Sequence, residues 1–415
     1  MKEKYDIALV APPWWLIPSS DIETATEYLV QEYGYYFNKK HKTIIFSRQK
    51  DETDAYDVED IFGYENHYEY VPVTDLERDL FKECVEKVDS YGYNNSLLYY
   101  YSYIISVANS IKRYGIKKII VFQTFSFCYW IKYINPTANV LYHIGNHELG
   151  KSEDYLGYFI IPKLFAEEVF PKIDKIICVS RVIEEAINKR FPKLIKKTTT
   201  IYPGIDSELF SFKEKSHDSD NRTIMYYGRI VREKGVHLLI QAFRRVVDEF
   251  GNKNLMLKIV GSPLGPNDNE AYYKQLEDMS AGYNVQLLGF VPRKELVKML
   301  YVADVFVYPA VWDEPLGLAP LEAMATGTPV IVSDGKAGYL EIIEDMKSGL
   351  VFKNNDACDL AAKLQYLIEN PVCRKKMAIS GHQIVKEKLC WKYCSDETYD
   401  AFNRHGSNFT QQERA

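Results

Sequence analysis

Short β-rich apolar runs alternate with helically spaced segments twice along this chain, and the alternation breaks only once, between residues 211 and 222. The first series reads as strands at Tyr5–Ala11, Thr43–Ser47, Lys118–Phe122, Val140–Ile144, Lys175–Val179 and Thr198–Tyr202. Helical spacing falls at Glu23–Phe37, Leu76–Val88, Leu97–Tyr114, Tyr155–Phe170 and Val182–Phe191, and residues 48–70 read as a polar loop. The break, Ser-Phe-Lys-Glu-Lys-Ser-His-Asp-Ser-Asp-Asn-Arg, has no apolar period and reads as a linker. The alternation then restarts, with strands at Thr223–Tyr227, Leu255–Val260, Val285–Leu288, Val305–Tyr308 and Val330–Ser333. The second set of helices is expected at His237–Phe250, Glu270–Ser280, Lys294–Val302, Pro320–Thr326, Ala357–Glu369 and Cys373–Lys388. Strands that alternate with helices form a parallel sheet covered on both faces. The expectation is therefore α/β: two Rossmann-like, doubly wound domains, 1–205 and 223–390, joined by a linker at 206–222 and facing a central cleft. Ligands gather at the carboxyl ends of such strands.

Composition narrows the function. A length of 415 residues exceeds one ordinary core, which agrees with two domains. A formal charge of −6 argues against a nucleic-acid partner. No apolar run reaches membrane-spanning length, so any membrane contact would be peripheral. Ile7–Ala11 is short and runs into Pro-Pro-Trp-Trp, which makes it a first strand rather than a signal peptide. Seven cysteines form no disulfide framework. Cys390 and Cys394 have no His or Cys cluster to complete a metal site, so no metal is expected and the chain reads as cytoplasmic. Of 33 tyrosines, 22 lie at or before Tyr202. They read either as packing or as the lining of a groove for a carbohydrate or other amphipathic acceptor.

Two stretches carry chemistry. Trp312-Asp313-Glu314-Pro315-Leu316-Gly317-Leu318-Ala319-Pro320-Leu321-Glu322 places two carboxylates eight positions apart around a turn and a helix start. Pro320 suits the first helical position, and the N–H groups of Gly317 and Leu318 would sit at the helix N-terminus, where an anion is stabilised. Gly228-Arg229-Ile230-Val231-Arg232-Glu233-Lys234-Gly235 follows a strand and precedes a helix. Arg offers a planar fork and Lys a point charge, and both suit phosphate.

The first stretch and its sequel Ala323–Val330 resemble the signature of the family-4 (GT4) retaining glycosyltransferases, which have the two-domain GT-B fold. The second resembles their Gly-Arg…Lys-Gly loop. Lys258–Ser262, Leu288–Pro292, Tyr301–Pro309 and Gly335–Glu341 match further segments, so residues 200–395 are well covered. The resemblance extends to enzymes of bacterial surface polysaccharide and spore-coat glycosylation.

The resemblance implies an acceptor-binding first domain and a second domain that binds a nucleotide sugar, with Trp391 and the following helix (391–415) crossing back to the first. Glu314 would contact donor sugar hydroxyls, Glu322 the ribose hydroxyls, and the N–H groups of Gly317 and Leu318 the diphosphate. Arg229 and Lys234 would clamp the diphosphate, while Gly261 and Val291 would frame the donor. A His near the anomeric carbon is also implied. In Tyr142-His143-Ile144-Gly145-Asn146-His147-Glu148 two histidines compete. His147 is favoured because it lies beyond the strand, whereas His143 alternates into it, and Glu148 reads as a solvated loop acid. The family's Gly pair after the first strand is replaced by Pro12-Pro13-Trp14-Trp15-Leu16-Ile17-Pro18-Ser19-Ser20. Trp14 and Ser20, with His143, are expected on the acceptor side.

The expected activity is retaining, metal-independent transfer from a UDP-sugar such as UDP-glucose or UDP-N-acetylglucosamine to a hydroxyl of a carbohydrate, lipid-linked or protein acceptor. No cofactor is expected beyond that substrate. Alternatives are a GT-B sugar-nucleotide epimerase, a sugar phosphorylase, and a non-catalytic surface or spore-coat assembly protein.

Overall fold

The structure, a computed structural model, describes residues 4–13, 17, 25–50, 65–72, 100–151, 161, 163–215, 221–251, 254–263 and 268–403. The chain divides into two compact units, Met1–Pro203 with Trp391–Ala415, and Gly204–Cys390. The expected helix Leu76–Val88 and the start of Tyr155–Phe170 lie outside the described residues, as do Trp14 and Ser20.

The first unit holds strands β1 (Ile7–Val10), β2 (Thr43–Arg48), β3 (His67–Val71), β4 (Lys118–Phe122), β5 (Asn139–Ile144), β6 (Lys175–Cys178) and β7 (Thr198–Thr200). Their order is β3-β2-β1-β4-β5-β6-β7, and every pairing is parallel. The chain thus winds outward from β1 in one direction and from β4 in the other, which is the doubly wound plan. Around the sheet lie α1 (Ala25–Asn38), α2 (Tyr101–Tyr114), α3 (Phe125–Ile134), α4 (Lys163–Val169) and α5 (Arg181–Arg190). Ser180 caps α5, its Oγ accepting from the Ile183 N–H at 3.3 Å, as the sequence led us to expect.

Two elements here differ from expectation. Strand β3 overlaps the end of the stretch read as a loop. It is an edge strand with only Val71 buried, so it lacks the apolar run of its neighbours. Helix α3 (Phe-Ser-Phe-Cys-Tyr-Trp-Ile-Lys-Tyr-Ile) is dominated by aromatic residues that favour strands. Burial of Phe125, Phe127, Trp130 and Ile131 overrides that preference.

The last helix, α12 (Trp391–Ala401), belongs to this first unit. Trp391 is buried against the rings of Tyr28, Tyr33 and Tyr36 and donates its indole N–H to the Tyr28 hydroxyl at 3.2 Å. The Tyr33 hydroxyl lies 3.2 Å from Cys394 Sγ and 3.3 Å from Thr398 Oγ1. Tyr5, Tyr28, Tyr33, Tyr101, Tyr103 and Tyr142 are all buried, so these tyrosines of the first half pack the core.

The second unit holds β8 (Arg222–Tyr227), β9 (Leu255–Val260), β10 (Val285–Leu287), β11 (Val305–Tyr308), β12 (Val330–Ser333) and β13 (Leu350–Phe352). Their order is β10-β9-β8-β11-β12-β13, again parallel throughout. Its helices are α6 (Val236–Glu249), α7 (Asp268–Ser280), α8 (Arg293–Val302), α9 (Leu318–Ala325), α10 (Ala357–Glu369) and α11 (Pro371–Lys388). Strand β13 has three residues, too few to show a period in sequence.

The stretch at 211–215 does not hang free. The Lys215 ammonium donates to the Leu300 carbonyl at 2.8 Å, to Thr328 Oγ1 at 2.6 Å and to the Ala303 carbonyl. Burial pulls this ammonium down to about 7, against the pull of Asp304.

Candidate active site

The switch point of the second sheet lies between β8 and β11, whose register pairs Ile224 with Val305. Both strands are parallel, so the loops that leave them emerge side by side on the carboxyl edge. After β8 the chain runs through Gly228-Arg229 into a 3-10 turn at Arg232–Lys234 and then Gly235. Gly235 has φ +67°, and a Cβ there would lie 2.0 Å from the Pro309 carbonyl oxygen. Only glycine allows this approach, which brings the loop against the segment leaving β11. The Val311 N–H donates to the Glu233 carbonyl at 2.9 Å and fastens the two loops. After β9, Gly261 plays the same part, since a Cβ there would lie 1.9 Å from the Gly228 carbonyl oxygen.

These approaches bring Lys234 to Glu314, 80 residues apart in sequence, with Nζ 2.5 Å from Oε2. Both residues are 6% exposed. The same Oε2 accepts from the Trp312 indole at 2.8 Å and from the Tyr308 hydroxyl at 3.1 Å, and Lys234 Nζ also lies 2.6 Å from the Tyr308 oxygen. Burial alone would raise the Glu314 carboxyl. The charge of Lys234 and the hydrogen bonds from Lys234, Trp312 and Tyr308 outweigh it and hold the group below its usual range. Burial lowers the Lys234 ammonium, with Arg229 adding to the effect and Glu314 opposing it. We take the pair as ionised, because each charge is matched by the other, with Trp312 and Tyr308 as neutral partners of Glu314 and Tyr308 as that of Lys234. The half-exposed Arg229 is close enough to act on Lys234 electrostatically.

Helix α9 starts at Leu318, with Gly317 before it at φ +78°. Pro320 is therefore its third residue and not its first. The consequence is small, because the third N–H of a helix also lacks an intrahelical acceptor. The N–H groups of Gly317 and Leu318 lie at the amino end of α9, just beyond Glu314. Glu322 lies one turn into the helix, 2% exposed. Its Oε1 accepts from Arg293 Nη2 and its Oε2 from the Tyr227 hydroxyl. Val291 lies in the loop between β10 and α8, and the Gly289 carbonyl of that loop accepts from the Gly261 N–H at 2.8 Å. Arg229, Lys234, Gly261, Val291, Glu314, Gly317, Leu318 and Glu322 thus all lie along one carboxyl edge of this sheet.

In the first unit the two histidines part company. His143 is fully buried on β5, its ring 5.4 Å from that of Tyr33 and 5.0 Å from that of Phe122. Burial lowers it to about 3, so it is a neutral core residue and presents nothing to an acceptor. His147 lies beyond the strand, where its carbonyl accepts from the Gly150 and Lys151 N–H groups and closes a turn. Glu148 corrects the sequence reading of a solvated loop acid. Its carboxyl is half-buried, accepts from the Tyr142 hydroxyl and lies 3.5 Å from Asn146 Nδ2, and loss of solvent pushes it up to about 8.

Sequence reading did not single out Tyr227, Arg293 or Tyr308. Tyr227 and Tyr308 close strands β8 and β11 directly before the two motifs, and that position was a usable signal. Arg293 had none, because its bond to Glu322 spans 29 residues.

The family described as Glycosyl transferases group 1 matches residues 207–383. The chain is 24% identical to Spore coat protein SA of Bacillus subtilis over 274 residues, 62% of this chain and 72% of that protein. It spans 49% and 59% of the length of two further curated relatives. Among solved structures, sucrose-phosphate synthase from Thermosynechococcus elongatus superposes with a TM-score of 0.75 at 19% identity, covering 97% of this chain and 98% of that one. HepE of Anabaena, solved with UDP and glucose, gives 0.72 at 15% identity over 97% of this chain and 100% of its own. Residues 207–383 thus match the group 1 glycosyltransferases, and the chain as a whole has the GT-B fold of these solved structures.

Proposed function

We propose that this protein transfers a sugar, with retention, from a nucleoside-diphosphate sugar to a hydroxyl acceptor, with UDP-glucose or UDP-N-acetylglucosamine as donor. The observation that carries the reading is the buried Lys234–Glu314 pair at the switch point, directly before the amino end of α9. An anion at that helix end meets unsatisfied N–H groups and the positive end of the helix dipole. Lys234 spends two of its three N–H groups on Glu314 and Tyr308, which leaves one for a phosphate oxygen. A structural neighbour solved with UDP and glucose supports the uridine donor.

In this reading the bond from the anomeric carbon to the diphosphate oxygen breaks while the acceptor oxygen bonds to that carbon on the same face. The acceptor proton passes to the departing phosphate oxygen, so the products are the glycoside and the nucleoside diphosphate. Arg229, Lys234 and the N–H groups of Gly317 and Leu318 offset the charge that builds on the leaving group. Glu314 accepts from donor sugar hydroxyls, Glu322 from the ribose, and Gly261 and Val291 frame the nucleoside. His147 is the histidine we assign to the anomeric centre, by the resemblance of its loop to that of the family. No divalent ion is required, so chelation with EDTA should leave the rate unchanged.

A screen of nucleotide sugars for donor hydrolysis identifies the substrate. With that donor, Arg229→Ala and Glu314→Ala should each lower turnover by about two to three orders of magnitude, the scale of a lost preorganised charge contact. Near-normal rates in either variant would refute the assignment.

A further inference from the structure

Glu322 is one turn inside α9 and nearly inaccessible, yet it is ionisable and carries two donors from different elements. Arg293 Nη2 reaches Oε1 from the first turn of α8, and the Tyr227 hydroxyl reaches Oε2 from the end of β8. Tyr227 is held in turn near the Ala319 carbonyl at 3.3 Å. The Arg293 guanidinium lies over the Phe210 ring, 4.9 Å from its centroid, so its own position is set by packing as well as by charge. A carboxylate offers about four lone-pair sites. Two are taken, one on each oxygen, and two remain. Two acceptor sites beside a fixed cation suit a pair of neighbouring hydroxyls. They do not suit a phosphate, which Glu322 would repel.

We propose that Arg293 is the positioning residue that fixes Glu322 as a receptor for the cis-2′,3′-diol of a ribonucleoside diphosphate, and so sets selection of ribose over 2′-deoxyribose in the donor. This rests on the donor reading above and adds to it a residue outside the motifs that suggested it. Arg293 follows Pro292, at the end of the loop that carries Val291. One side chain therefore ties the base-framing loop to the ribose acceptor.

The test is calorimetry with UDP, ADP and GDP and their 2′-deoxy counterparts, on the wild type and on Arg293→Lys and Arg293→Met, together with steady-state donor hydrolysis. The wild type should prefer the ribonucleotide by at least about tenfold, the scale of one good hydrogen bond. Arg293→Met should reduce that preference to about twofold or less and raise KM for the donor, with kcat within about twofold, as expected when uniform binding is lost. Arg293→Lys keeps the buried charge paired, and with it the fold, and should fall between the two. It supplies the measurement if the Met variant does not fold. A role in stability alone would lower the melting temperature and leave the ribose preference intact, and that result overturns the proposal. Wild-type protein that binds none of the six nucleotides would sink the donor reading itself. Binding with a ribose preference that neither variant changes would sink only the role of Arg293.

Discussion

The two sheets follow the same winding order, yet their carboxyl edges treat ionisable groups in opposite ways. In the second unit Lys234 and Glu314 are buried together and charged, each stabilised by the other. In the first unit His143 and Glu148 are both driven toward neutrality, His143 down to about 3 and Glu148 up to about 8. Burial acts on all four. The difference is a partner of opposite charge, present in one unit and missing from the shifts of the other, where burial leads. Stored charge suits the diphosphate site proposed for the second unit. A neutral His143 suits the core in which it is packed.

The largest effect should come from removing one member of the charged pair. Lys234→Met leaves Glu314 buried with only the Trp312 and Tyr308 hydrogen bonds, and should cost about 3–5 kcal/mol in urea unfolding. The double variant Lys234→Met, Glu314→Leu should recover most of that loss while remaining inactive. A stable single variant would mean that the pair is not the unit described here.

The next effect belongs to His143. Its folded value, about 3, lies below its ordinary 6.5. Between those values the unfolded chain binds a proton that the folded chain does not. Stability from this group is therefore complete above pH 6.5 and falls as pH drops toward 3, by up to about 1.4 kcal/mol per unit. His143→Phe should flatten that slope in acid melts, and a slope unchanged by the substitution would show that the ring is not the proton sink.

Glu148 should give an opposite effect, and a smaller one because its side chain is only half-buried and solvent screens it. Its folded value, about 8, lies above its ordinary 4.5. The folded chain holds the extra proton, so this contribution is complete below pH 4.5 and is lost as pH rises through 8. Glu148→Gln keeps a hydrogen-bonding group beside Tyr142 and should remove the slope between those values. If the variant shows the wild-type slope in thermal melts, the carboxyl is already ionised in the fold.

Much of the fold was legible because the strands of a buried parallel sheet are short apolar runs, and Ile7–Val10, Leu255–Val260 and Val330–Ser333 read as such. Edge strand β3 and aromatic helix α3 were not legible, since exposure hid the first and packing overrode propensity in the second. At the site, the motifs located Glu314, Lys234 and Glu322, because a glycine turn followed by a helix start leaves a mark in sequence. They could not show that Lys234 touches Glu314, that Arg293 touches Glu322, or that Glu148 is held by Tyr142.

The sequence by itself determined the α/β class, the likeness of residues 207–383 to the group 1 glycosyltransferases, and the residue types along the carboxyl edge of the second sheet, because each depends on local periodicity or on contiguous motifs. The tertiary structure decided which charges meet and which ionisable groups are neutral. Those outcomes depend on burial and on partners distant in the chain, and neither quantity is local.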